Sequence, residues 1–366
     1  MSLQSIFFPL MRIKSVFILT WTFFAVSLLS KSVSAQHQEL NEKPSIWKGV
    51  SLPAQDSSFL QSYFQKGRAN GHFRYYFMST DNEPGLTDYY ANAAGGGLRF
   101  ETAPFYGFQF AVSGFYYFNI GSSDLSKVDS VSGQSNRYEV GLFDIQNPTN
   151  RKNLDRLEEL YVKYQRSKSS LIFGRQLLNT PFINLQDGRM RPTGVEGIWF
   201  DLSEWKKLSL EGGFLYAISP RGTVRWYRVD ESIGVYPAGV DESGTKSGYS
   251  GQLKSAGVAV LGLHLKPTRM IKLQLWNYLI DNIHNTAMIQ VDAVKPVGKE
   301  SKWTAGMQMI RQDAVGEGGN EDIRKTYIRP GARAMSFGAR TGWQNKNWDL
   351  SLNYNRITDD GRDLFP

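Results

Sequence analysis

Residue character alternates with a period of two over about thirteen separate stretches of this chain, and that rhythm limits what it can fold into. In GHFRYYFMST, residues 71–80, Phe73, Tyr75 and Phe77 form one series and His72, Arg74, Tyr76 and Met78 the other. Such a segment is a strand with two unlike faces, because successive side chains point to opposite sides of extended backbone. The stretches fall near 70–79, 90–101, 106–119, 158–166, 170–176, 194–201, 206–217, 257–265, 270–281, 286–295, 302–311, 333–342 and 347–357. Every second connection is short: TAPF, SKS, LSEW, KPTR, PVGKES and WQNK. Those between, at 120–157, 177–193, 218–256 and 312–332, are long and polar; 282–285 departs from the rule. Antiparallel strands with tight turns at one end and long loops at the other describe a transmembrane β-barrel.

The faces carry the same message. Leu160, Val162 and Tyr164 oppose Glu159, Tyr161, Lys163 and Gln165, and Ile271, Leu273 and Leu275 oppose Lys272, Gln274 and Trp276. An apolar series toward lipid and a polar one toward a wet lumen is the barrel arrangement. Residues 1–35 read as a secretory signal: Arg12 and Lys14, an apolar run at 16–29, then small residues up to Ala35, with Met11 the expected start. That run is too short to span a bilayer as a helix, which needs about 20 residues. Residues 36–66 read as a polar periplasmic lead-in and 67–366 as the barrel. Beyond residue 35 no apolar run would cross as a helix, so membrane residence requires closed β structure.

Composition narrows the chemistry. Removing Arg12, Lys14 and Lys31 with the signal takes the formal charge from +8 to +5, too mild and too dispersed for a nucleic-acid partner. Cysteine is absent, which excludes disulfides and thiolate metal sites, and neither a histidine cluster nor a calcium loop is present, so no cofactor or metal is expected. Thirteen strands is odd where bacterial single-chain barrels use even numbers, and the chain stops at GRDLFP; further closing strands are therefore expected beyond it.

The stretches GHFRYYFMSTDN, GGGLRFETAPFYGFQFAVSGFY and LEELYVKYQRSKSSLIFGRQLLNTPFINLQDGRMRPTGVEGIWF resemble the OprD-type outer-membrane porins, which share a strand ending in GRQ, a Pro-containing loop, DxRxxP and a strand with xxEGxxF. The resemblance implies an 18-stranded all-β barrel in the cell outer membrane, delivered by the barrel-assembly machinery and surrounded by outer-membrane lipid. It also implies an inward third loop and passive diffusion of small organic acids, amino acids or peptide-like solutes. That loop is 177–193, stiffened by Pro181 and Pro192 and carrying Asp187, Arg189 and Arg191. A pore selects at its narrowest ring by fixed charge, and each arginine offers a planar fork for carboxylates. Asp187 could equally pair with Arg189 or Arg191 to pin the loop.

Arg74 matches the family's first-strand arginine, and its bland alternative is pairing with Glu101. Facing adds Tyr76, Arg99, Tyr161 and Lys163 to the expected pore lining, with Lys272 and Arg340 weaker and the parity of Arg175 ambiguous. Two other functions compete: a barrel-embedded lipase, for which no G-x-S-x-G motif is present, and a secreted β binding module.

Overall fold

The computed structural model describes residues 60–358 apart from 151, 153, 186–188, 237–238 and 240–244. The signal segment and most of the lead-in lie outside the described residues, as does Asp187. Thirteen long strands follow one another: β1 Arg68–Thr80, β2 Tyr89–Glu101, β3 Phe108–Asn119, β4 Asp155–Arg166, β5 Ser169–Gln176, β6 Gly194–Leu202, β7 Leu208–Ser219, β9 Val258–Leu265, β10 Ile271–Ile280, β11 His284–Val297, β12 Ser301–Ala314, β13 Arg333–Gln344 and β14 Asp349–Ile357. Each pairs antiparallel with the next in a single sheet, and the path runs from β1 to β14 without the two ends pairing. A two-residue β8, Tyr227–Arg228, adds to the far end of β7. It is the strand the alternation missed, since two residues carry no period.

The aromatic series of β1 faces outward: Phe73 is 74% exposed while Arg74 beside it is partly covered. The same division recurs along the wall. In β3, Phe108, Tyr116 and Phe118 stand out while Gln109, Ala111, Ser113, Phe115 and Tyr117 are buried on the inner side. The glycines of β2 serve those inner aromatics, because a Cβ on Gly95 would lie 2.3 Å from Tyr117 Cβ and one on Gly97 2.8 Å from Phe115 Cδ2.

Two irregularities re-aim side chains. The register of β3 against β4 shifts at Ser113/Gly114, leaving Glu158 as an extra residue, so that Glu158 and Glu159 are both buried inside. A second shift between β6 and β7 makes Tyr216 the additional residue.

The inner side is not uniformly wet. Toward the loop end, Tyr89, Phe115 and Tyr117 pack with Leu125, Val140, Leu142, Phe143, Leu154 and Met190. A second cluster joins Val195, Trp199, Val258, Trp276, Tyr278 and Ile280 of the wall to Leu178, Phe182, Leu253 and Ile328 of the loops. Apolar inward residues at this height are therefore covered by protein. Much of the expected polar lining lies in the turn-side half, around Glu101, Lys163, Glu211, Lys272, Asp292 and Arg340, while Arg156, Glu158, His284, Thr286 and Gln312 are buried polar residues of the inward series toward the loops.

Candidate functional site

Loop 177–193 leaves β5 and returns into β6, yet its contacts lie on distant strands. At one end Phe182 meets Tyr278 of β10 edge to face, ring centroids 5.1 Å apart. A tight turn sets that pose: Thr180 N donates to Ile183 O at 2.7 Å and Ile183 N to Thr180 Oγ1 at 3.1 Å. At the other end Arg74 Nη1 of β1 donates to Arg189 O at 2.7 Å. A loop that touches β10 on one side and β1 on the other crosses the inner space of the sheet. The loop therefore folds over the inner face of the sheet.

Its arginines hold different positions. Arg189 has a left-handed backbone, φ 45°, and its Nη1 donates to Tyr138 O at 3.0 Å, in a seat that a Cβ on Gly141 would obstruct at 2.6 Å. Arg191 is 1% exposed; its Nη2 donates to Tyr117 OH at 2.8 Å and to Thr223 O, and the guanidinium lies over the Tyr117 ring at 4.7 Å. Burial brings its pKa down to about 10, against which the tyrosine pulls upward. Arg191 thus ties loop 177–193 to the wall and to loop 220–257.

Arg156, unnoticed in the sequence because it fell within a presumed loop, does the same from β4. Its Nη2 donates to Pro192 O at 2.6 Å and to Glu158 Oε1 at 2.9 Å, and its Nη1 to Ser219 Oγ at 2.9 Å. The only sequence signal for this site is LEEL, whose two leucines, Leu157 and Leu160, are both exposed on the outer face across a non-alternating spacing and so announce the bulge.

The remaining expected residues form the turn-side lining. Arg99 donates through Nε to Glu159 at 3.1 Å, through Nη1 to Glu101 at 3.0 Å and through Nη2 to Tyr161 OH at 2.7 Å, while Tyr161 OH donates to Glu101 at 3.2 Å. Arg99 and Tyr161 are thereby joined in one network, and Arg74 reaches the loop carbonyl of Arg189. Lys163 stands beside that network by facing, and Tyr76 is 39% exposed. Arg340 pairs with Asp292 at 3.2 Å, and Glu211 with His264 at 2.8 Å, a contact between inward positions that single-strand patterns do not reveal. Arg175 pairs with Glu196 at 3.0 Å and lies over Trp226 at 4.6 Å, on the parity of outward Leu171 and Phe173.

Above the loop lies a cavity of about 460 Å³ lined by Phe182, Tyr249, Tyr278 and Tyr327, with Asn184 and Arg221 at its polar side. Burial raises the Tyr327 hydroxyl to about 12, so it remains a neutral donor.

A family model described as outer membrane porin, OprD family, matches residues 62–362. This chain belongs to the OprD family. It is an outer-membrane porin, a substrate-specific channel built as a β-barrel wall, and neither the lipase nor the soluble module is favoured. Solved structures share the fold: Pseudomonas aeruginosa OccK9 (OpdG) superposes with a TM-score of 0.62 at 16% identity, covering 82% of this chain and 70% of that one. Pseudomonas aeruginosa OpdK with vanillate gives 0.55 at 17%, covering 83% and 73%. Acinetobacter baumannii OccAB3 gives 0.61 at 15%, covering 80% and 67%. No curated protein sequence matches the chain.

Proposed function

We propose that this porin passes small solutes bearing a carboxylate, zwitterions included, past a constriction made by loop 177–193 and a lumen wall with basic residues. The observation that supports the reading is the span of that loop from Tyr278 to Arg74, whose Nη1 donates to Arg189 O, and both arginines are assigned to the passage. Arg74 commits Nη1 to the loop, and a guanidinium has five N–H donors to offer. Lys163, Tyr76 and Asp187 are assigned to the same path, with Arg99, Tyr161 and Arg191 as the frame that fixes its shape. The aromatic cavity beside the loop favours solutes with an apolar body next to their charge, a combination vanillate has in the OpdK crystals.

Reversal potentials in planar bilayers, with chloride and then a series of small carboxylates as the anion, test the reading. Arg74→Ala and Arg189→Ala should each lower anion preference; selectivity unchanged in both variants would remove the basic path.

A further inference from the structure

At the loop end three arginines pair with acids two residues away, Arg311 with Asp313 at 2.8 Å, Arg324 with Asp322 at 2.9 Å, and Arg228 with Asp230, while Lys127, Lys254 and Lys325 are exposed with no ion pair among the described residues. At the turn end, Arg166, Lys168, Lys206, Lys266, Arg269 and Lys295 are all exposed, and none makes an ion pair among the described residues. Glu204, an acid in the same turns, is committed elsewhere, accepting from Ser167 Oγ at 3.0 Å, Lys168 N at 3.0 Å and Ser169 Oγ at 2.8 Å.

Two of these cations, Arg166 and Lys295, adjoin aromatic side chains of the outer face. Phe108 and Tyr164 pack with their rings tilted at 47° and centroids 4.9 Å apart, and Trp205, Trp303 and Trp348 are exposed. Aromatic belts mark the depth where acyl chains give way to headgroups. Lys295 is the cross-strand partner of Trp303, and Arg166 shares the outward parity of Tyr164. Long basic side chains in such positions can lay their stems along apolar surface and carry the charge to the polar layer.

We propose that the turn-end rim is a docking surface for anionic phospholipid headgroups in the periplasmic leaflet, with the lysines and arginines engaging phosphate and the tryptophans fixing the depth. The commitment to lipid rather than to a soluble anion rests on where the cations sit: Lys295 and Arg166 point away from the lumen, on the face that meets acyl chains. Near an anionic membrane surface each such cation contributes on the order of 1 kcal/mol.

Native mass spectrometry of the full chain, extracted from mixed phosphatidylglycerol and phosphatidylcholine vesicles, tests this directly. Phosphatidylglycerol should be retained over phosphatidylcholine by at least about fivefold, the ratio one surface cation supplies. K168Q/K206Q/K266Q/K295Q should lose that preference, the corresponding Lys→Arg set should keep it, and heat-modifiable migration should show both sets folded. K127Q/K254Q/K325Q at the loop end should leave it unchanged. Equal retention of the two lipids by the wild type, or a preference untouched by the turn-end glutamines, overturns the proposal. Displacement of the retained lipid by glycerol phosphate at constant ionic strength would assign the rim to soluble anions and overturn it equally.

Discussion

Arg156 and Glu158 show how one extra residue in β4 changes what a wall can hold. Without the bulge the two glutamates of LEEL would face opposite sides; with it both turn inward, and Arg156 Nη2 meets Glu158 Oε1 at 2.9 Å with each side chain 1% exposed. A buried ion pair of this kind is costly to break and cheap to replace, since removing one partner strands the other charge away from water. Arg156→Met should therefore destabilise the fold by about 3–5 kcal/mol, whereas Arg156→Met with Glu158→Leu should recover most of the loss. Thermal unfolding in detergent of both variants reads the difference. Alternation identified Arg74, Arg99 and Lys163 as inward because each sits in an unbroken run of its strand. Alternation carried back past Glu159 would turn Glu158 outward; the bulge resets that parity, and the reset is written only in the spacing of Leu157 and Leu160.

At the scale of elements, the strands were legible and the loops were not. Each long strand announces itself through a two-residue period imposed by lipid on one side. A loop's path depends on side chains met far along the sequence, as when Phe182 finds Tyr278 or Arg191 finds Tyr117. Asp129 illustrates such a non-local tie between loops 81–88 and 120–154. Its carboxylate accepts from Ser132 N at 2.6 Å and Ser132 Oγ at 2.8 Å within its own loop, and from Thr87 N at 2.7 Å in the other. These bonds, those from Ser132 foremost, hold its pKa well below the ordinary carboxylate range. A depressed acid stabilises above its unfolded pKa and loses that contribution as pH falls through the folded one. The wild-type loops should accordingly resist pepsin at about pH 4 and yield as the pH is lowered further. Asp129→Asn should yield already at the higher pH, and identical digestion of the two proteins would show the tie to be idle.

For the whole molecule, the sheet order was written in the connection lengths, because sequential antiparallel strands leave only neighbours to pair with. What the connections could not convey is that the loop-side interior is packed with apolar clusters around buried polar groups such as Arg156 and Glu158, since all of these read simply as the inward series. The proposed constriction belongs to this level as well. Replacing 179–191 by a short Gly-Ser linker should raise unitary conductance and weaken discrimination among carboxylates while the wall remains folded. Unchanged conductance in planar bilayers would show that the passage narrows elsewhere.

Met190 is embedded in one interior cluster and Leu178 in the other. The loop is thus held near each of its ends by buried apolar side chains. A substitution that loosens either cluster should therefore release one end of the loop and leave the other held.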